Sequence, residues 1–241
     1  STNSSSALTF TSGDLNVATI SGNMLTIVGA GTTTINVSLN SSNNYNSAST
    51  SFSFIVSKAN PLLTVSSSTI NKTYGDDPIL LSSLVSTNSP GSLSFTSNDS
   101  SIATISGNML TIVGAGTTTI NVSLNSSNNH ISLSASMSLI VSKANPSLTV
   151  TSLTINKTYG DSPILLSSLV STNSSGSLLF TSNDQNVATI SGNTLTITGG
   201  GTTTINVLLN SSNNHTSVSA TMPLVVSKAK IFQYGMFQVL L

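Results

Sequence analysis

The chain has 241 residues and sets six Lys against six Asp, with no Arg, Glu, Cys or Trp, so its formal net charge is zero. That balance excludes a nucleic-acid binder, because neutralising phosphates takes clustered Lys or Arg, and Lys58, Lys72, Lys143, Lys157, Lys228 and Lys230 form no such cluster. No apolar run approaches the roughly 20 residues of a membrane-spanning helix, and a cysteine-free chain leaves the redox compartment open. The opening at Ser1 has neither a methionine nor a charged segment followed by an apolar one, so a leader peptide is expected to be absent from this sequence.

In chain order, the sequence repeats itself. SGNMLTIVGAGTTTINV at Ser21–Val37 returns at Ser106–Val122 and, slightly edited, at Ser191–Val207. SKA recurs at Ser57, Ser142 and Ser227, ANP at Ala59 and Ala144, and NKTYGD at Asn71 and Asn156. The period is about 85 residues, the mark of an array of modules. Each module is large enough to bury a core without a metal or disulfide. Residues 1–58 read as an incomplete module, because STNSSSALTF aligns with STNSPGSLSF at Ser86 and everything equivalent to Ala59–Val85 has no counterpart. Residues 59–143 and 144–228 are complete modules, and 229–241 is an apolar tail.

Short β-branched runs punctuated by turn residues predict an all-β class of tandem sandwich modules with almost no helix. In the middle module the expected strands are Leu62–Ser66, Thr69–Lys72, Ile79–Leu84, Ser92–Ser97, Ile102–Ser106, Met109–Val113, Thr117–Leu124 and Ile131–Val141. Alternation places Ile120, Val122 and Leu124 on one face, and Ile131, Leu133, Ala135, Met137, Leu139 and Val141 on one face of the last strand. Gly107 with Asn108 predicts a hairpin turn. SSNNH at Ser126 predicts a polar loop before the final strand.

FTSNDSSIATISGNMLTIVGAGTTTINVS resembles the core signature of bacterial immunoglobulin-like domains of group 2. KANPLLTV and KTYGDDPILL resemble the MBG subset of the same superfamily. The likeness covers nearly the whole chain up to Lys228, and the Cys pair and core Trp of antibody-type domains are absent. It implies an immunoglobulin-like sandwich, and a role among the stalk and spacer modules of surface adhesins, intimin-like proteins and phage or large-virus surface proteins, some of which bind carbohydrate or protein.

The tail IFQYGMFQVLL carries Phe232, Tyr234, Met236, Phe237, Val239, Leu240 and Leu241 where a fourth module would open. It is a candidate assembly strand that adds to the incomplete first module of another copy. A piece cut from a longer repeat protein would have the same two ends.

The chemistry-bearing residues are sparse. Asp14, Asp99 and Asp184 recur at one position and Asp76 and Asp161 at another, but two or three carboxylates per module suit loop turns better than calcium, which takes six to eight oxygens. His130 and His215 share a loop position with Tyr45, one per module, short of the three or four ligands of a zinc site. No GxSxG elbow occurs and no serine has a base that repeats with it. Lys58, Lys143 and Lys228 have no acid near them in sequence, as an isopeptide crosslink would need, and read as solvated strand-end lysines. The Thr rows at Thr32, Thr117 and Thr202 read as outward strand positions. Among the NxS/T sequons, Asn125 and Asn210 lie in loops and are the glycosylation candidates.

The resulting expectation is a non-enzymatic surface protein without cofactor or metal. It would be an extracellular or virion-surface stalk, fibre or filament subunit whose partners are other copies of itself or neighbouring surface or capsid proteins. The alternative is an adhesin whose loops, with Asn128, Asn129, His130, Asn213, Asn214 and His215, hold glycans or protein weakly at several points.

Overall fold

The structure is a computed structural model that describes residues 6–151 and 154–230. The first repeat forms β1 (Leu8–Ser12), β2 (Ala18–Ser21), β3 (Met24–Ile27), β4 (Gly31–Leu39) and β5 (Ala48–Val56). The second opens with β6 (Leu63–Val65), β7 (Thr69–Thr73), β8 (Ile79–Leu80) and β9 (Val85–Thr87). It continues as β10 (Leu93–Ser97), β11 (Ala103–Ser106), β12 (Met109–Ile112), β13 (Gly116–Leu124) and β14 (Leu133–Ser142). The third repeats that order as β15 (Leu148–Val150), β16 (Ile155–Thr158), β17 (Ile164–Leu165), β18 (Val170–Thr172) and β19 (Leu178–Ser182). It closes with β20 (Ala188–Ser191), β21 (Thr194–Ile197), β22 (Gly201–Leu209) and β23 (Val218–Ser227).

Pairing follows the apolar alternation. The second repeat has a four-stranded sheet in the order β10-β13-β14-β7, a three-stranded sheet β11-β12-β8, and the pair β6-β9. The third has β16-β23-β22-β19, β17-β21-β20 and β15-β18 in the same roles. β16 runs parallel to β23, while the other registered pairs of the third repeat are antiparallel. Ile205, Val207 and Leu209 point inward from β22, and Met222, Leu224 and Val226 from β23, all of them buried. Gly107 takes φ 59° and Asn108 does not go positive, the arrangement of a two-residue hairpin with glycine first.

Among the described residues the first repeat has β1-β4-β5 and β2-β3 alone. β5 therefore occupies the place of β14 without a strand in the place of β7. Phe52 is 51% exposed there, whereas its counterpart Met137 is 1% exposed.

Two sequence expectations need correction. Ile79–Leu84 is not one strand: β8 ends at Leu80, Leu81–Leu84 form a 3₁₀ turn, and β9 follows. The reason is local, since Leu81 and Leu84 fall on one side of a three-residue turn and the Ser83 hydroxyl donates to the Leu80 carbonyl at 2.7 Å. Leu81 is thereby fully buried. The last strand does not run inward from Ile131 either: Ile131 and Leu133 are 42% and 40% exposed. Ile131 N–H is drawn out of the sheet to the Ala59 carbonyl at 3.0 Å.

The chain divides into two compact units. One comprises Ser1–Ile70, Pro78–Thr111 and Thr118–Leu139, and the other Asn71–Asp77, Ile112–Thr117 and Ile140–Leu241. The first holds β1–β5, with Ile35, Val17 and Ala18 buried among them, and the β6, β8, β9, β10 and β11 strands of the second repeat. The second holds the third repeat, whose core joins Ile155, Leu166, Phe180, Leu195, Ile205, Met222 and Leu224.

Candidate functional site

The loops singled out in the sequence are closed by hydrogen bonds of their own. Ser127 N–H donates to the His130 carbonyl at 3.0 Å and His130 N–H donates to the Ser127 hydroxyl at 3.2 Å, closing the SSNNH turn on itself. Ser212 and His215 repeat this at 3.0 and 3.2 Å. In the first repeat Ser42 N–H reaches the Tyr45 carbonyl at 2.8 Å.

Each of the two SSNNH loops then receives the end of the preceding repeat. In the first unit, Lys58 Nζ donates to the Ser127 carbonyl at 2.7 Å. Ala59 N–H donates to the Asn129 carbonyl at 2.8 Å, and the Ala59 carbonyl accepts from Ile131 N–H, an isolated parallel bridge at His130. Asn129 Oδ1 accepts from Ala30 N–H at 2.9 Å. Because the donor is a backbone N–H, it dictates that the carboxamide oxygen faces it. Gly29 makes the approach possible, since a Cβ there would stand 3.1 Å from Asn129 Oδ1 and 2.8 Å from the Asn16 carbonyl.

In the second unit the set recurs residue for residue. Lys143 Nζ donates to the Ser212 carbonyl at 2.6 Å, Ala144 N–H to the Asn214 carbonyl at 2.9 Å, and Ala115 N–H to Asn214 Oδ1 at 2.9 Å. Thr216 N–H closes the bridge on the Ala144 carbonyl at 2.9 Å. The His215 ring meets Tyr74 edge-on, with centroids 5.4 Å apart and planes at 78°, a favoured aromatic geometry. The backbone and carboxamide hydrogen bonds of this set are neutral and contribute about 0.5–1.5 kcal/mol each.

Asn129, His130, Asn214 and His215 are thus brought together with SKA segments at module junctions. Asn128 and Asn213 stay exposed. An open depression of about 470 Å³ lies beside Asn128, lined also by Pro90, Gly91, Ser92 and His130. The lysines correct the sequence reading: Lys58 and Lys143 are not merely solvated but cap loop carbonyls across the junction. The 85-residue recurrence of SKA was the available signal, and what it lacked was the partner.

No family model matches the sequence, and no curated protein matches it. Among solved structures, the crystal structure of Drosophila N-cadherin EC1-3 is 9% identical, covering 95% of this chain and 91% of that one, with a TM-score of 0.34. The surface layer protein SbsC, domains 1-6, is 12% identical over 95% of this chain and 36% of that one, with a TM-score of 0.32. Sidekick-1 immunoglobulin domains 1-5 are 14% identical over 92% and 52%, with a TM-score of 0.33. The modules are immunoglobulin-like β-sandwiches. Their own strand pairing carries that statement: short strands in two main sheets, turn residues between them, and inward alternation from both.

Elsewhere on these sandwiches the acids serve the backbone. Asp14 Oδ1 accepts from Asn16 N–H at 2.9 Å, Asp99 Oδ1 from Ser101 N–H at 2.8 Å, and Asp184 Oδ1 from Asn186 N–H at 2.8 Å, three Asx turns at one repeat position. The Ser101 hydroxyl adds a bond at 2.6 Å to Asp99, and these two donors hold the Asp99 carboxyl below its usual value. Asp76 and Asp161 instead reach back three residues and accept from Thr73 and Thr158 N–H. Asn125 is exposed and Asn210 half-buried, and their carboxamides donate to the Ser92 and Ser177 hydroxyls at 2.9 and 3.0 Å. Phe232, Tyr234, Met236, Phe237, Val239 and Leu241 lie outside the described residues. Among the described residues no helix is long and apolar enough to cross a membrane.

Proposed function

We infer that the chain is a non-catalytic structural extension on a cell or virion surface, a stalk or fibre element of bacterial group 2 and MBG-type modules. The observation that carries this reading is the junction. Lysine to loop carbonyl, alanine bridge and asparagine to backbone N–H recur at both connections, the lysine bonds at 2.7 and 2.6 Å, the alanine bonds at 2.8 and 2.9 Å and the asparagine bonds at 2.9 Å in each. A connection that repeats its contacts is what a spacer built of like modules requires. Other copies of the chain or neighbouring surface or capsid proteins are its partners on this reading.

A glycan-array and host-surface binding assay on the folded chain tests it. The spacer reading expects no binding. Binding that disappears in Asn128→Ala and Asn213→Ala, two exposed loop side chains that make none of the junction contacts described above, would replace it with the adhesin reading, for which the depression beside Asn128 is the support.

Filament assembly by strand addition has support of its own in the β5 edge, where Phe52 and Ile55 are 51% and 69% exposed. Electron microscopy of the full chain beside a chain truncated after Lys230 tests this mode. Fibres that vanish on truncation support it, and single particles in both samples remove it.

A further inference from the structure

The junction has two halves, and the described residues contain an unpaired example of each. On the receiving side, Tyr159, Gly200 and Lys228–Ala229 are the counterparts of Tyr74, Ala115 and Lys143–Ala144. Around them lies an open recess of about 450 Å³, lined by Tyr159, Thr198, Gly199, Gly200, Lys228 and Ala229. Among the described residues no loop enters it. The exposure pattern agrees: Tyr74 and Ala115 are half-buried under the Asn214–His215 loop, whereas Tyr159 is 52% exposed and Gly200 is exposed.

On the inserting side, Ser41–Tyr45 is the counterpart of Ser126–His130 and Ser211–His215. Its turn is already closed by the 2.8 Å bond from Ser42 N–H to the Tyr45 carbonyl. Tyr45 is 46% exposed, while its counterparts His130 and His215 are both half-buried.

We propose that the Ser41–Tyr45 loop of one copy docks into the Tyr159–Gly200–Lys228 recess of another, so that the chain self-associates head to tail through a third instance of its own junction. Asn44 Oδ1 accepts from Gly200 N–H, Lys228 Nζ donates to the Ser42 carbonyl, and Tyr45 meets the Tyr159 ring where His215 meets Tyr74. Glycine at 200 keeps the N–H that the contact needs. Both halves are shaped in advance, so little ordering entropy opposes docking. The contact is heterologous, one patch against a different patch, and it repeats from copy to copy. It needs neither the spacer reading nor the apolar tail.

The test is sedimentation velocity on the full chain, at concentrations graded up to about 1 mM, the effective concentration that a short tether imposes within a chain. Faster species that grow with concentration are expected. They should be lost in the double variant Asn44→Ala and Tyr45→Ala, which removes only the inserting side, and in the double variant Tyr159→Ala and Lys228→Ala, which removes only the receiving side. All four side chains are exposed, so folding is not at stake. Each variant alone should then sediment as a monomer, and an equimolar mixture should form a dimer that grows no further, because it retains one competent loop and one competent recess. A full chain that stays monomeric throughout overturns the proposal, as does association that survives both variants. The second result would leave assembly through the tail, and the spacer reading, untouched.

Discussion

The first and third modules are spelled with almost the same residues and bury them differently. Ile35 and Ile205 are 1% and 0% exposed, so the β4 and β22 strands do the same work. Leu25 is only half-buried where Leu195 is fully buried, and Phe52 is 51% exposed where Met222 is 0%. The difference is the neighbours. β17 lies against β21, and β16 lies against β23, while nothing among the described residues takes those places beside β3 and β5. Burial, and the stabilisation that comes with it, belongs to the pair of strands and not to the residue.

The comparison can be broken most directly at the leucine pair. Leu195→Ala should cost about 2–5 kcal/mol, the range for a fully buried leucine that leaves a cavity, and Leu25→Ala clearly less. A chain of several modules does not unfold in one step, so native-state hydrogen exchange resolved by module is the measurement. Equal losses would mean that the first module is packed as tightly as the third.

Supplying the absent neighbours should sharpen it. A peptide with the sequence of Thr69–Leu84, given at about 100 times its dissociation constant, should protect β5 amides by about 2.7 kcal/mol and leave β23 unchanged. Protection that appears equally in both strands, or in neither, would show that the β5 edge is not selective for its repeat partner.

A smaller effect separates seated from unseated asparagines. Asn214→Ala should destabilise the second unit by about 1 kcal/mol, for one hydrogen bond lost, and Asn44→Ala should leave the stability of dilute monomer unchanged. Hydrogen exchange at Ala115 reports the first directly, because its N–H loses its acceptor.

The smallest effect is electrostatic. Asp99 lies below its ordinary value of 3.8, chiefly through the Ser101 hydroxyl and then the Ser101 N–H. A depressed carboxyl contributes stability that is complete above its unfolded value and is lost as pH falls through the lower folded one. Ser101→Ala should therefore raise the Asp99 midpoint toward 3.8, as read by carboxyl-carbon NMR. An unchanged midpoint would mean that the backbone N–H alone sets it.

Much of this molecule was legible in the sequence because repetition makes each strand visible more than once. The apolar period of two in TTTINVSL and MSLIV carried Ile120, Val122, Leu124, Met137, Leu139 and Val141 into the core. The same rule failed at Ile131, since a period of two records which face a residue shares but not whether another segment takes its N–H. The rule failed again at Leu81–Leu84, where apolar residues three apart fit a short turn as well as a strand.

The loops show the boundary most clearly. That SSNNH and SKA recur in step was written in the chain; that they recur because they bind each other was not. Lys58 and Ser127, or Ala30 and Asn129, stand 69 and 99 residues apart, and no local pattern couples residues at that separation. The sequence by itself determined the β class, the inward face of the long strands and the polar turns, which depend on neighbours within a few residues, and the module period, which is read by matching the chain against itself. The tertiary structure alone decided which loop receives which strand end, which lysines find a carbonyl, and which half of a junction is left unpaired, because those depend on backbone groups that meet only after the strands have packed.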